Sequence, residues 1–237
     1  MSLAYVMNRD RAGTVKEFTF QLLKRQVTAE RFLAVKDVSF EVHRGETVAL
    51  IGRNGAGKTT LMKVVARVLP PTSGRVIVRG RVAPMIALGA GFNHELNAIE
   101  NIVLFGTLLG RDPDEMQERA DEIGRWAELT EFMDVPIRSF SSGMLARLGF
   151  AVAADVDPDV MVVDEVLSVG DESFQQKSFE RMQSLMKGGT AVLLVSHALD
   201  TVSRVADRVI WLDHGKVMAD GDPEDVVEQY RESVRRR

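Results

Sequence analysis

The stretch GRNGAGKTT, Gly52 to Thr60, combines glycines with a lysine and two threonines in a spacing that suits phosphate binding. It matches G-x-x-x-x-G-K-[ST], in which glycines let backbone N–H groups turn inward around phosphate oxygens. Lys58 would reach the β- and γ-phosphates of a nucleotide, and the Thr59 hydroxyl would ligate Mg²⁺. The residues expected to bind the nucleotide in this phosphate loop are Gly52, Asn54, Gly55, Ala56, Gly57, Lys58, Thr59 and Thr60.

Two acids end an apolar run in VMVVDE, Val160 to Glu165. A buried strand here would carry Asp164 to the C-terminal edge of a sheet, where α/β sheets bind ligands, so that Asp164 could hold the Mg²⁺. Glu165 could orient or deprotonate a water that attacks the γ-phosphate. Together with a phosphate loop, the two acids indicate nucleotide hydrolysis rather than binding alone.

A second apolar run, AVLLVSH, ends in Ser196 and His197. A histidine at a strand end is ordinarily a turn residue. Because this run reads as another core strand of the same sheet, we expect His197 to reach the γ-phosphate.

The segments that must position these residues alternate between strands and helices. Thr47 to Ile51 is continuously apolar, as is typical of a central strand, and 160–163 and 191–195 predict two more. Alternation of Val38, Phe40 and Val42 with polar residues predicts a half-buried strand before them. Further short strands are predicted within 74–88.

The remaining patterns are helical or turn-forming. Residues from about 97 to 154 have mostly helical spacing, a hairpin is predicted to turn at His214-Gly215, and Asp222-Pro223 opens a last helix. This order predicts an α/β fold, with a P-loop NTPase core, an antiparallel β subdomain and an inserted helical subdomain.

The composition excludes several classes of protein. The chain has 237 residues and no cysteine, which excludes disulfides and thiolate chemistry. Its net charge of −4 argues against a nucleic-acid partner. No apolar run approaches the roughly 18 residues of a membrane-spanning helix, and the N-terminus lacks the apolar core of a signal peptide. We therefore expect a cytosolic protein, or one on the cytosolic side of a membrane.

The signature segment FSSGM, Phe140 to Met144, lies shortly before the Asp-Glu strand. Alone, Ser-Ser-Gly is a helix cap that offers a hydroxyl and exposed N–H groups to an anion. With the other motifs it resembles the ATP-binding cassette (ABC) ATPases, which carry Leu-Ser-Gly-Gly-Gln there. The resemblance extends from the strand before Gly52 through the hairpin at Gly215. It implies that the segment serves the partner subunit's ATP, so that two chains enclose two nucleotides head to tail.

The resemblance assigns roles residue by residue. Ser141 and Gly143 fall on positions that contact the γ-phosphate across the dimer, with Ser142 between them. Asp171, in SVGD, falls on the D-loop and would be an inter-subunit contact, and His197 falls on the switch histidine. The implied cofactors are ATP and Mg²⁺. The implied partners are a second copy of the chain and separate integral membrane permease subunits.

A narrower resemblance is to the ATPases of polysaccharide and polyol-phosphate exporters, such as those of O-antigen, capsule and teichoic acid. These carry Leu-Gly-x-Gly-Phe, here Leu88 to Phe92, Ser-Ser-Gly-Met in the signature, and an amphipathic insertion, as at residues 8–30. The resemblance implies a peripheral protein on the cytoplasmic face of the membrane, with a lipid-linked glycan handled by the permease. From the residues alone, the Gly89–Gly91 run also fits a tight turn.

Two departures from the family pattern stand out. Most ABC ATPases have a Gln between the phosphate-loop lobe and the helical lobe. Here the equivalent stretch holds Leu88 or a neighbour, no Gln follows until Gln117, and the role is left unassigned between Asn93 and His94. The aromatic residue that stacks on adenine is expected at Tyr5, with Phe32 as the alternative. Such stacking contributes about 1–3 kcal/mol if it resembles base stacking in nucleic-acid sites.

The sequence favours one domain over residues 1–237, with a helical subdomain at about 95–155 and a C-terminal helix and basic tail at about 223–237. The expected function is that of the ATP-hydrolysing subunit of a lipid-linked glycan exporter. The alternatives are an ABC transporter ATPase for a drug, lipid or small molecule, or a soluble ABC ATPase of DNA repair or ribosome work. The last class carries a coiled-coil insertion or two cassettes, and this sequence has neither.

Overall fold

The computed structural model describes residues 1–8, 29–86, 88–89, 91–164, 170–196 and 198–236. These residues form a six-stranded sheet with helices on both faces and a separate two-stranded sheet. Most of the predicted insertion at 8–30 lies outside the described residues, as do the predicted site residues Glu165 and His197.

The strands form two sheets. The smaller sheet pairs β1 (Leu3–Asn8) with β2 (Ala29–Val35) antiparallel. The larger sheet has the order β4-β5-β6-β3-β7-β8, and its neighbours are parallel except for the final antiparallel hairpin. Its strands are β3 (Thr47–Ile51), β4 (Val82–Met85), β5 (Val160–Asp164), β6 (Ala191–Val195), β7 (Arg208–Asp213) and β8 (Lys216–Gly221).

Seven α-helices and two 3₁₀ turns complete the part of the chain that the structure describes. The helices are α1 (Lys58–Val65), α2 (Ala98–Leu108), α3 (Pro113–Trp126), α4 (Ser142–Asp155), α5 (Glu172–Lys187), α6 (Leu199–Val205) and α7 (Pro223–Arg235), and the 3₁₀ turns are Thr130–Phe132 and Ile137–Ser139. Helices α2 to α4 follow one another between β4 and β5, as the helical spacing of this region predicts.

The central strands β3 and β6 of the large sheet are buried on both faces, which explains why they are continuously apolar. In β3, Val48 and Leu50 join a core that includes α1, whereas Ala49 and Ile51 join the core beneath helices α2 to α5. All five residues of β3 are buried. The strand therefore holds the phosphate loop that follows it on a rigid base.

One predicted strand is wrong. Residues 36–46 form no strand, and the strand of this region is β2, which ends at Val35. Val38 is buried and its neighbour Ser39 exposed, as the alternation predicts, but none of the strands that the structure describes pairs with this segment. The backbone N–H of Lys36 donates to Gly215 O, and that of Val38 donates to Met1 O. The burial of these side chains therefore follows the apolar-polar alternation, whereas the backbone hydrogen bonds are not those of a strand.

Three predicted strands, the hairpin and the last helix are confirmed. The strands at 47–51, 160–163 and 191–195 are present, the second longer by one residue, whereas the described part of 74–88 forms only β4, so the prediction of several short strands there is wrong. The hairpin turns at His214 and Gly215, which both have positive φ, as a two-residue type I′ turn requires. Asp222 caps α7 by accepting the Glu224 N–H at 2.9 Å, and proline follows it.

None of the helices among the described residues is both long and apolar enough to cross a bilayer.

Candidate functional site

The phosphate loop connects the end of β3 to the start of α1, as its motif predicts. Lys58 is the first residue of the helix and is 7% exposed. Its ammonium donates to Gly52 O at 2.6 Å and to Arg53 O at 3.1 Å, so the side chain folds back over the loop. The first turn of α1 contains no acidic residue. A buried cation and a helix N-terminus therefore act together at this loop, which favours an anion.

Two glycines of the loop are required by their surroundings. Gly57 has φ 103°, and a Cβ there would lie 2.4 Å from Ala34 O in β2. Gly52 has φ 146°, and a Cβ there would lie 2.1 Å from Leu212 O in β7. The loop is therefore wedged between two strands, and a side chain at either position would force these backbones apart.

The turn of the β7–β8 hairpin contacts the phosphate loop, and no pattern in the sequence indicated this contact. Gly215 N–H donates to Ala56 O at 2.9 Å, and a Cβ at Gly215 would lie 2.6 Å from Ala34 O. Gly57 and Gly215 thus approach the same carbonyl from two sides. No sequence signal links these residues, because 158 positions separate Gly57 from Gly215 and only the tertiary fold brings them together.

Asp164 ends β5 in a row that crosses the sheet to the phosphate loop. It pairs with Val195 of β6, and Val195 pairs with Leu50 of β3, two residues before Gly52. With strands about 4.8 Å apart, the Asp164 Cα lies about 10 Å from that of Leu50. The half-buried Asp164 is therefore at the predicted edge, beside the loop. The predicted site residues Glu165 and His197 lie outside the described residues.

The donor groups at this edge suit Mg²⁺. Thr59 is exposed at the start of α1, and Asp164 offers a carboxylate from the neighbouring part of the edge. Mg²⁺ prefers oxygen ligands, and in nucleotide sites it takes only one or two from the protein and the rest from phosphates and water. One hydroxyl and one carboxylate therefore fit this ion. Among the described residues no cluster of three or more His, Asp or Glu forms a metal cage of its own.

The signature segment begins helix α4. Ser141 is the N-cap, with extended backbone, and its Oγ accepts the Met144 N–H at 3.2 Å. Ser142 is exposed in the first turn. The start of α4 and the residues before α5 line one open concave surface, which consists of Ser141, Ser142, Gly143, Met144, Ala146, Arg147, Gly170 and Asp171. The tertiary structure thus brings the predicted signature residues and Asp171 together.

Asp171 is the N-cap of α5. Its carboxylate accepts the Phe174 N–H at 3.0 Å, the Ser173 hydroxyl at 2.8 Å and Arg147 Nη2 at 2.6 Å. The pKa of Asp171 lies below its ordinary value of 3.8, first because of the backbone N–H of Phe174, then because of Ser173 and Arg147. The group is therefore a carboxylate at neutral pH. Arg147 is a residue that the sequence analysis missed.

Tyr5 and Phe32, the alternatives for adenine stacking, are directly opposite each other on β1 and β2. Directly opposed residues of an antiparallel pair lie on the same face of the sheet. Tyr5 is 39% and Phe32 50% exposed. Phe32 lies two residues before Ala34, which contacts Gly57 of the phosphate loop. The structure therefore offers a pair of aromatic rings near the loop rather than a choice between two distant positions.

Asn93 and His94, the substitutes considered for the missing Gln, lie in a turn that a buried residue holds. Asn101, which is 0% exposed, accepts Asn93 N–H at 2.8 Å and donates to the carbonyls of Asn93, Leu96 and Asn97. The Asn93 side chain accepts the Glu95 N–H in a local turn. Asn101 therefore fixes the loop that enters α2.

The glycine-rich turn before this loop packs against the signature helix. A Cβ at Gly149 of α4 would lie 3.0 Å from Gly89 N and 3.2 Å from Leu88 Cβ. Phe92 packs edge-on against Phe105 of α2, with ring centres 5.3 Å apart. The Phe92 N–H donates to Gly89 O at 3.0 Å, so Gly89 and Phe92 close a turn that packs against both α2 and α4.

Comparison with known proteins identifies relatives of this chain. The profile of the ABC transporter family matches residues 35–168. An O-antigen export system ATP-binding protein, RfbB of Klebsiella pneumoniae, is 48% identical over 91% of this chain and 86% of its own. A teichoic acids export ATP-binding protein, TagH of Shouchella clausii, is 36% identical over 99% of this chain and 64% of its own.

Solved structures share the fold. An ATP-binding subunit of an ABC transporter superposes with a TM-score of 0.73 at 28% identity, covering 84% of this chain and 88% of that one. A dimeric ATP-binding cassette in a post-hydrolysis state with ADP and Pi superposes with a TM-score of 0.72 over 94% of this chain and 96% of that one. The identity to the latter is 20%, so that likeness concerns the fold alone.

Proposed function

This chain belongs to the ABC transporter family, and we propose that it is the ATP-hydrolysing subunit of an exporter that moves a lipid-linked polysaccharide across the cytoplasmic membrane. The observation that carries the proposal is the 48% identity to an O-antigen export ATP-binding protein over 91% of this chain. The teichoic acid export relative, which aligns over 99% of this chain, supports the same class of cargo.

We propose one ATPase domain over residues 1–237. Residues of about 95–155 would form its helical subdomain, and about 223–237 its C-terminal helix and basic tail. Helices α2 to α4 occupy the first of these ranges and α7 the second, which supports the division.

In the proposed mechanism the phosphate loop binds ATP through its backbone N–H groups. Lys58 exchanges its contacts with Gly52 O and Arg53 O for contacts with the β- and γ-phosphates, and the Tyr5–Phe32 face receives the adenine. Glu165 would then orient and deprotonate the attacking water, and His197 would contact the γ-phosphate, which are the roles that the family resemblance implies. Electrostatic stabilisation of the γ-phosphate supplies most of the catalysis in reactions of this kind.

Thr59 and Asp164 would hold Mg²⁺, which neutralises charge on the β- and γ-phosphates when it is bound. The contribution of the protein is to keep a hydroxyl and a carboxylate oxygen at the same edge of the sheet. That arrangement depends on the register that aligns Asp164, Val195 and Leu50.

Two copies of the chain would close head to tail around two ATP molecules. Ser141, Ser142 and Gly143 would contact the γ-phosphate bound to the partner, and Asp171 would contact the partner subunit. The Ser141 cap and the exposed N–H groups of the first turn of α4 give this surface the character of an anion site. Separate integral membrane permease subunits would carry the glycan, and the ATPase would sit on the cytoplasmic face of the membrane.

The proposal is tested in cells that are depleted of this protein and then complemented. Lipids are extracted and analysed by mass spectrometry, with wild-type protein and the Glu165→Gln variant as the two complementing forms. We expect one lipid-linked glycan to accumulate on depletion, to disappear with the wild type and to persist with Glu165→Gln. For a general base, turnover of the purified variant falls by about 10²–10⁴.

The control is Arg119→Ala, which removes a bidentate ion pair with Asp155 between α3 and α4, away from the phosphate loop and signature surface. It should complement as the wild type does. An unchanged profile of glycan lipids on depletion would refute polysaccharide export. Unchanged hydrolysis in Glu165→Gln would remove that residue from the catalytic role.

A further inference from the structure

Arg147 joins the signature helix to the segment before α5. Its Nη2 lies 2.6 Å from Asp171 Oδ2 and its Nη1 lies 3.1 Å from Glu128 Oε2. The guanidinium carbon lies 5.0 Å from the centre of the Phe174 ring. The Arg147 side chain is only 18% exposed despite its charge. Two carboxylates and an aromatic ring therefore hold this guanidinium in one orientation.

The backbone at Gly170 packs directly against this side chain. Gly170 has φ 78°, and a Cβ there would lie 3.0 Å from Arg147 Nε and 3.1 Å from Phe174 Cβ. Gly170 therefore lies close to the Arg147 side chain, and any side chain at position 170 would crowd the guanidinium group.

The paired residues both line the concave surface that contains Ser141, Ser142 and Gly143. Arg147 and Asp171 are the charged residues among those described as lining it. Asp171 also caps α5, because its other carboxylate oxygen accepts the Phe174 N–H and the Ser173 hydroxyl. The start of α4 and the start of α5 are therefore tied together through one carboxylate.

We infer that Arg147 is a positioning residue for the surface that receives the partner subunit's nucleotide, an inference that rests on the proposed head-to-tail dimer. Arg147 holds the Ser141–Gly143 turn and Asp171 at a fixed separation, so that both meet the partner in one geometry. Without the guanidinium, the position of Asp171 relative to α4 would be fixed only when the dimer closes. That ordering would weaken closure but would leave the phosphate loop of each subunit unaffected.

The experiment measures ATP-dependent dimerisation by analytical ultracentrifugation in the Glu165→Gln background, at saturating ATP. The variants are Arg147→Ala, Asp171→Asn and the pair together. Asparagine keeps the N-cap acceptor at position 171 and removes the charge. Each single variant should raise the dimer dissociation constant about 2- to 30-fold, because an ion pair with one exposed partner is worth about 1.4- to 5-fold at each of the two equivalent surfaces of the dimer.

The pair should be no worse than either single variant, because both changes break the same contact. Binding of ATP to the monomer should be unchanged in all three. Arg119→Ala is the matched structural control, since it breaks a 2.6 Å ion pair between α3 and α4 outside the concave surface. It should lower the melting temperature without changing the dimer dissociation constant.

Dimerisation equal to that of the parent, or additive effects of Arg147→Ala and Asp171→Asn, would overturn the inference. If Arg147→Ala does not fold, Arg147→Lys takes its place, because lysine keeps the positive charge but lacks the fork of donors that reaches both Asp171 and Glu128. If the Glu165→Gln parent itself does not dimerise with ATP, the proposed dimer is wrong and the inference falls with it. If the parent dimerises and the variants dimerise equally well, the proposed dimer stands and only the inference about Arg147 is refuted.

Discussion

A methyl group added at Gly57 tests how the phosphate loop is held. The residue has φ 103°, where an alanine is strained, and the new Cβ would lie 2.4 Å from the backbone oxygen of Ala34. Gly55 provides the matched comparison, because it has φ 79° and nothing lies within 4 Å of its Cβ position. The two substitutions therefore share backbone strain and differ in steric overlap.

The expected magnitudes follow from this difference. Backbone strain costs about 1–2 kcal/mol in either variant. Overlap with a well-packed backbone adds about 1–3 kcal/mol in Gly57→Ala, giving about 2–5 kcal/mol in total. In a chain of this length each kcal/mol lowers the melting temperature by about 2–4 °C. Gly55→Ala should therefore melt about 2–8 °C below the wild type, and Gly57→Ala about 4–20 °C below it.

The assay is thermal unfolding by circular dichroism, first without nucleotide and then across an ATP titration. ATP at 100 times its dissociation constant should stabilise the wild type by about 2.7 kcal/mol through mass action. Gly57→Ala should gain less than this at the same ATP concentration, because the loop has moved away from Ala34. Equal melting temperatures for Gly57→Ala and Gly55→Ala would refute the contact between the loop and β2.

Three further predictions concern other parts of the molecule. Lys58→Ala should weaken ATP binding about 10–150-fold by loss of a charge-assisted contact, measured by calorimetry with Lys63→Ala of the same helix as control. Asn101→Leu should cost about 2–4 kcal/mol in urea unfolding and should speed hydrogen exchange of amides 93–97, because buried loop groups lose their partners. Burial raises the pKa of Glu46, but the hydrogen bonds from Arg208 and from the His43 N–H, together with the charge of Arg208, outweigh burial and keep the pKa below 4.5. Its carboxylate therefore stabilises the fold above about pH 4.5, and the stability advantage of the wild type over Glu46→Gln should shrink as pH falls below that value.

Each of these has a result that contradicts it. Normal ATP affinity in Lys58→Ala would exclude the lysine from phosphate binding. Wild-type exchange rates at 93–97 in Asn101→Leu would mean that the loop does not depend on the buried amide. A stability difference for Glu46→Gln that stays constant from pH 7 to pH 3 would show that the pKa of the carboxyl is not lowered on folding.

The sequence determined the parts of this protein whose chemistry is local. The phosphate loop has its glycines, lysine and threonine within nine residues, and the apolar strand before it needs no partner to be recognised. The same holds for Asp164 after its apolar strand and for the Asp222-Pro223 helix start. In each case the residues that cooperate are close along the chain, so spacing and hydrophobic pattern are enough to predict the element and its position.

The tertiary structure decided what distant segments do to one another. Alternation at 38–42 predicted burial correctly but a strand incorrectly, because a strand also needs a neighbour, and the backbone there bonds to Met1 and Gly215 instead. The same holds for the contact of Gly57 with Ala34 and for the pairing of Arg147 with Asp171. Hydrogen bonds and steric fit between segments far apart in the chain depend on three-dimensional register, which has no period in the sequence.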